Sequence, residues 1–145
     1  MTWADIRIRF DVKSWRIIKG FENYRVTSCG RVWSCAQEKF IRMDYNISSY
    51  LRVELWKDGA RHWLFVHRLV CYAYKRNKRP NVKTQVNHMD HDQHNNKAGN
   101  LEHVTPSTNI LHAKYKIYRQ YIYKGRGKWK KISFKEMLAR TGDSF

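Results

Sequence analysis

The sequence predicts an α+β fold of small antiparallel hairpins packed with helices, and three observations predict it. Residues 50–56 and 61–66 each alternate apolar with polar side chains, and Lys57-Asp58-Gly59-Ala60 separates them. Asp-Gly between two alternating runs is a strong hairpin signal. The period then changes: Val66, Leu69, Val70, Ala73 and Tyr74 fall on one helical face, and Pro80 stops the helix soon after. The third observation is residues 86–113, which read as strand, long polar loop, strand and helix.

Taken in order, residues 1–14 carry Ile6, Ile8 and Phe10 alternating with Arg7 and Arg9, a strand-like pattern on a basic edge. Residues 24–27 and 31–34 form two short strands. Ser28-Cys29-Gly30 is the turn between them, with Gly30 able to take positive φ. Val26 and Val32 face inward, which puts Arg25, Thr27, Arg31 and Trp33 on the other face. A two-stranded ribbon fits the major groove of DNA, and arginine reads guanine there. The plainer reading is a hairpin that packs on the core and carries solvated arginines. In the 50–66 hairpin, Lys57 and Arg61 flank the turn and are expected to contact DNA. His67, at the start of the first helix, reads better as a packing or capping residue than as a phosphate or metal contact. Residues 75–79 form a basic loop suited to DNA backbone.

In the third stretch, residues 90–100 are almost wholly polar, with Gly99 near the end. Leu101 and Val104 mark a second short strand. Thr105 is a good helix N-cap, and Pro106 falls at the first helical position, where its missing N–H costs nothing. Ile110, Leu111 and Ala113 give this helix an apolar side. Asn109 and His112, three apart, share its polar side. His112 is open to two roles: contact with a phosphate or metal, or capping and packing. His88, His91 and His94 are spaced by three, but zinc ligands at that spacing want a helix, and the loop is a poor helix former. Beyond it, residues 114–131 interleave Arg119, Lys124, Arg126, Lys128 and Lys130 with Tyr115, Tyr118, Tyr121, Tyr123 and Trp129. Basic and aromatic residues together suit backbone contact and base stacking. Residues 134–140 predict a short helix.

The chain has 145 residues and a formal net charge of +17, from 29 Lys plus Arg against 12 Asp plus Glu. Charge of this size is a statement about partners. Nucleic acid leads, because neutralising phosphates releases counterions. A membrane surface is the runner-up, but no apolar run approaches the ~18 residues of a spanning helix, and no signal-peptide core is expected at the N-terminus. Cys29, Cys35 and Cys71 are odd in number and form no CxxC pair, which fits a reducing cytoplasm better than a disulfide framework.

The chemistry concentrates at the end of the first strand of residues 86–113. A neutral histidine, His88, is the natural group to take a proton from water near neutral pH. Side-chain amide oxygens ligate hard cations such as magnesium. A base beside such a cation is what phosphodiester hydrolysis requires. The residues Val86-Asn87-His88-Met89-Asp90, Asn95-Asn96, Gly99-Asn100-Leu101-Glu102, Val104-Thr105-Pro106-Ser107 and Asn109 resemble the HNH motif of the ββα-metal nucleases, above all that of the phage HNH homing endonucleases. Residues 15–34, with Gly20-Phe21-Glu22, Tyr24, Val26-Thr27 and Gly30-Arg31-Val32-Trp33-Ser34, resemble the short DNA-binding module found ahead of many such nuclease cores.

The resemblance implies a ββα-metal core cutting double-stranded DNA with one divalent ion, magnesium or manganese. His88 is then the general base, Asn87 and Asn109 the metal ligands, and Asn100 the brace of the loop. Asn87 stands where many members have Asp, so the site lacks a carboxylate there. His91 replaces a common Gly and His103 a common Trp. The division expected is residues 1–45 as a DNA-binding module, 46–115 as the nuclease core and 116–145 as a basic DNA-contacting segment. A monomer with one small site nicks one strand. A phage-encoded protein acting in the cytoplasm of a bacterial host is implied. The alternatives are a DNA-binding protein on an inactive HNH scaffold and an RNA-binding protein.

Overall fold

The computed structural model describes residues 15–122, with side chains described through residue 114. The strand expected within 1–14, the side chain of Arg119, the basic positions Lys124, Arg126, Lys128 and Lys130, and the helix expected at 134–140 lie outside the described residues. The described residues form two compact units, one of residues 15–78 with 86–103 and one of residues 79–85 with 104–122.

The first unit opens with a four-stranded antiparallel sheet in sequence order: β1 (Arg16–Ile18), β2 (Phe21–Val26), β3 (Val32–Ser34) and β4 (Lys39–Phe40). Val26 lies opposite Val32, and both are fully buried. Thr27 locks the turn between β2 and β3. Its N–H donates to Arg31 O at 2.8 Å, its Oγ1 accepts from Arg31 N at 2.9 Å, and its carbonyl accepts from Gly30 N at 3.1 Å. Gly30 sits at φ +90, which only glycine adopts without strain.

The second face of this hairpin is not the open one expected. Thr27 is buried, and Trp33 is 5% exposed. The reason is β4, too short to show a period in the sequence. It brings the Phe40 ring edge-on to Trp33 at 5.0 Å, and Trp15 packs against both, 5.6 Å from Trp33 and 5.4 Å from Phe40.

The second sheet is β5 (Met43–Tyr45), β6 (Leu51–Lys57) and β7 (Ala60–Phe65), antiparallel throughout. Asp58 and Gly59 both have positive φ, 51 and 76, the turn that matches strand twist in a two-residue hairpin. Alternation sends Val53 and Leu55 fully into the core. Arg52, Glu54 and Trp56 take the other face, across from Phe65, Trp63 and Arg61. Helix α1 (Val66–Tyr74) follows β7 without a loop and buries Val66, Val70 and Cys71 in the same core. Two tyrosines tie the layers: Tyr24 Oη accepts from Trp56 N at 3.1 Å, and Tyr74 Oη donates to Val26 O at 2.9 Å. The chain then pairs β8 (Gln85–His88) with β9 (Leu101–Val104), and fully buried Leu101 anchors the pair to the core.

In the second unit, α2 (Pro106–Ile122) starts at the proline, and Thr105 caps it, its Oγ1 accepting from Thr108 N at 3.1 Å. The expected apolar side is not buried as a set. Ile110 is 59% exposed and Ala113 is exposed, while Leu111 is half-buried. Ile110 and Ala113, three apart, share a face that points to solvent, and Leu111 lies one helical step round from it.

Candidate active site

The site is built on the end of β8 and the polar loop after it. Asn87 and His88 point to opposite sides of the strand, yet both are buried, because β8 is covered on both faces. Asn100 closes the loop. Its carbonyl accepts from Met89 N at 2.9 Å, and its Oδ1 accepts from Asp90 N at 3.1 Å. Its Nδ2 donates to Asp90 Oδ1 at 2.8 Å and to Asn95 O at 2.9 Å. Burial pushes the Asp90 carboxyl up, but hydrogen bonds from Asn95, the Asp92 amide and Asn100 outweigh it and hold it below its ordinary value.

His88 Nε2 lies 3.0 Å from Asn96 Oδ1. A carboxamide oxygen only accepts, so Nε2 carries a proton, and in the neutral ring that leaves the lone pair on Nδ1. The Asn96 orientation is fixed by its own Nδ2, which faces His94 O at 3.4 Å. The His88 ring packs 5.1 Å from the His67 ring and 6.2 Å from Tyr50. His67 has the packing role expected of it, and Tyr50, for which none was expected, joins it in lining the base.

Burial, then the neighbouring charges of His88 and Arg68, push the His67 imidazole down to about 3, so it is neutral at working pH. Below the ordinary value of 6.5 the unfolded chain takes up a proton that the folded chain refuses. Stability should therefore fall as pH drops from about 6.5 toward about 3, by at most about 1.4 kcal/mol per pH unit from this group. His67→Phe, which keeps a ring and removes the titration, should flatten that decline in urea melts taken across the window. Parallel declines in the two proteins would assign the acid sensitivity elsewhere.

Asn87 Nδ2 donates to Glu102 Oε1 at 3.0 Å, leaving Oδ1 as the amide's ligating atom. In the second unit Asn109 Nδ2 donates to Gln85 Oε1 at 2.8 Å, which likewise leaves its Oδ1. His112 is half-buried on α2, one turn after Asn109. Each of these amides, its N–H side held by a protein oxygen, has an oxygen of the kind a hard divalent cation takes. Nitrogen and sulfur ligands gather less: His88 is held by Asn96, and His94 packs edge-on to Tyr45 at 5.2 Å. Glu102 and Asn96 had no role in the sequence reading. The loop closure at Met89 and Asn100 could have found Glu102, since it places residue 87 opposite 102.

Comparison with known proteins bears on this arrangement. The NUMOD4 motif matches residues 14–56. The uncharacterized HNH endonuclease L245 of Acanthamoeba polyphaga mimivirus is 35% identical over 99 residues, 66% of this chain and 29% of that protein. DNA endonuclease I-HmuI of Bacillus phage SP01 is 33% identical over 101 residues, 66% of this chain and 55% of that enzyme. The solved structure describing DNA binding and cleavage by the HNH homing endonuclease I-HmuI superposes with a TM-score of 0.64 at 27% identity, covering 87% of this chain and 66% of that one. These likenesses support a place for the chain in the HNH homing endonuclease family. The chain spans under a third of the mimivirus relative and about half of the phage enzyme.

The positions expected to contact DNA lie apart from the site residues in the sequence. Arg25 is half-buried, its Nη1 donating to Glu22 O at 2.6 Å and to Tyr24 O at 3.1 Å. Arg31 is exposed and lies 3.7 Å over the Phe40 ring. Trp33, expected among the DNA contacts, is buried against Trp15 and Phe40 and is corrected to a core residue. Lys57 and Arg61 are exposed at the tip of the β6–β7 hairpin. Between them and the site lies a surface the sequence reading passed over. Trp56 and Trp63 are 52% and 49% exposed, and the Arg52 guanidinium stacks 4.2 Å over Trp63. Strict alternation along β6 was the available signal, since it puts Arg52 and Trp56 on one face.

Proposed function

We propose that this chain is a metal-dependent DNA endonuclease that hydrolyses a phosphodiester bond and, as a monomer, nicks one strand of double-stranded DNA. The observation that carries the reading is the buried His88, its Nε2 held by Asn96, one residue along β8 from Asn87, whose Nδ2 is held by Glu102, in a chain similar to HNH endonucleases. His88 Nδ1 takes the proton of the attacking water. Asn87 and Asn109 are the residues that would hold the ion through their Oδ1 atoms. When bound, magnesium or manganese stabilises charge on phosphorus and on the leaving oxygen. Asn100 keeps the loop closed around the base. The phage and giant-virus relatives and the three free cysteines fit a phage-encoded protein acting in a host cytoplasm. No helix among the described residues is long and apolar enough to cross a membrane.

Incubation of supercoiled plasmid with magnesium or manganese tests the activity. Nicked circles that vanish with EDTA are expected. Binding without nicking under every metal condition would favour the inactive scaffold, which the missing carboxylate at Asn87 otherwise supports.

The Asn87–Glu102 pair sharpens the expectation for the metal. Asn87→Asp turns a donor facing Glu102 into a second carboxylate, and two carboxylates sharing a site repel. The variant should be less stable than wild type without metal. It should bind manganese more tightly in the absence of DNA, because it adds charge without adding volume. Glu102→Gln should weaken metal binding about 10–100-fold, the usual cost of losing an outer-shell partner. Titration calorimetry and melts with and without manganese check both. Identical isotherms for the three proteins would remove Asn87 and Glu102 from the metal site.

The hairpin arginines make a separate prediction. Arg31 is exposed and Arg25 is held by carbonyls, so Arg31 is the better placed to read a base. Arg31→Ala should cost about 1–3 kcal/mol of discrimination at one base position if it reads guanine. Equal weakening for all sequences in a binding-site selection would make it a phosphate anchor.

A further inference from the structure

The turn of the N-terminal hairpin is built into the wall of the active site. Ser28 O accepts from Ala98 N at 2.7 Å, two residues from Asn96. A Cβ added at Gly30 would meet Asn96 Cβ at 3.2 Å and Val66 Cγ1 at 3.1 Å. Asn96 is 4% exposed, and its side chain meets His88 Nε2 at 3.0 Å and His94 O at 3.4 Å. The hairpin turn thus stands directly behind the carboxamide that grips the base, and Thr27 holds the turn rigid from within.

We propose that Asn96 is the positioning residue of the base, holding His88 as the Nε2–H tautomer, and that the turn at residues 27–30 holds Asn96 in place. Without the carboxamide oxygen, nothing at Nε2 selects one neutral tautomer over the other, and the proton can sit on Nδ1, where it blocks the lone pair that must accept from water. The hairpin that the family resemblance makes a DNA-binding piece is then also structural support for catalysis. The inference rests on the nuclease reading for its kinetic consequence, but not for the tautomer itself.

The test uses the full chain labelled with nitrogen-15 in its histidines, with spectra recorded while the His88 ring is neutral, alongside single-turnover nicking. Wild type should show Nε2–H for His88. Asn96→Ala should move it to a mixture of tautomers, with the rate constant for nicking falling about tenfold or more and the half-saturating DNA concentration unchanged. Asn96→Asp, which keeps an acceptor oxygen, should restore the Nε2–H signal. Gly30→Ala should shift His88 in the same direction as Asn96→Ala. Gly20→Ala is the control: that glycine also has positive φ, +83, but an added Cβ there meets nothing within 4 Å, so it brings backbone strain without pressing on Asn96. It should leave His88 unchanged. If Asn96→Ala does not fold, the Gly30 and Gly20 pair decides the matter. An unmoved His88 tautomer in folded Asn96→Ala, or in Gly30→Ala when the first does not fold, overturns the proposal. A tautomer that moves as expected in Asn96→Ala, together with a wild-type chain that never nicks, would instead overturn the nuclease reading and leave the positioning role standing.

Discussion

His88→Ala should lower the nicking rate about 10²–10⁴-fold, the usual cost of losing a general base, while DNA affinity stays close to wild type. The two quantities separate because His88 is 6% exposed and offers little surface to a duplex. Its value lies in one nitrogen. Binding is measured in EDTA, where no turnover confuses it, and nicking in magnesium under single turnover. Removing the ring also removes packing against His67 and Tyr50, so some loss of stability is expected. His88→Gln, which fills more of that space but is a very poor base, should be as slow as the alanine variant and more stable. Full activity in either variant, from preparations free of contaminating nuclease, would end the mechanism. A parallel collapse of binding and nicking would make His88 a structural residue.

The same residues show how much of this was legible in the chain. The 51–65 hairpin and the helix from Val66 to Tyr74 were legible because alternation, an Asp-Gly turn and a change of period all point one way. The Thr105 cap and Pro106 start were legible for the same reason: local chemistry decides a helix start. The burial of Trp33 was not, because it depends on two-residue β4 and on Trp15, neither of which has a pattern to read. Periodicity gives a residue's face, but not whether another short segment covers it. At the site, the motif named His88, Asn87, Asn100 and Asn109 but not the groups that aim them. Asn96 and Glu102 are ordinary polar residues in sequence, and only the loop's closure brings them to His88 and Asn87. His67 lies 21 positions before His88, in a helix of its own, so nothing local linked it to the base.

The affinity for DNA should fall steeply with salt, along a straight line of log affinity against log salt. The formal net charge of +17 motivates this, but the slope counts phosphate contacts rather than charges, at about 0.9 per phosphate neutralised on duplex DNA. If six to ten contacts form, affinity falls about 10³–10⁵-fold between 50 and 200 mM salt. Arg61, exposed at the hairpin tip, is placed to contribute. Arg61 meets Glu54 at 3.7 Å, but both ends are solvent-accessible, and such a pair is worth about 0–1 kcal/mol, too little to hold Arg61 from a phosphate. Arg61→Ala should therefore reduce the slope by about one and weaken all sequences alike. Arg52, stacked on Trp63 beside it, should behave differently. If the two tryptophans and this guanidinium form a platform against the nucleic acid, Trp63→Ala should weaken binding while leaving the slope unchanged, because stacking releases no counterions. Fluorescence anisotropy across a salt series for wild type, Arg61→Ala and Trp63→Ala separates these terms. A nearly flat line for wild type would mean that the charge of this chain serves something other than phosphate, and the sheet face would lose its claim on DNA with it.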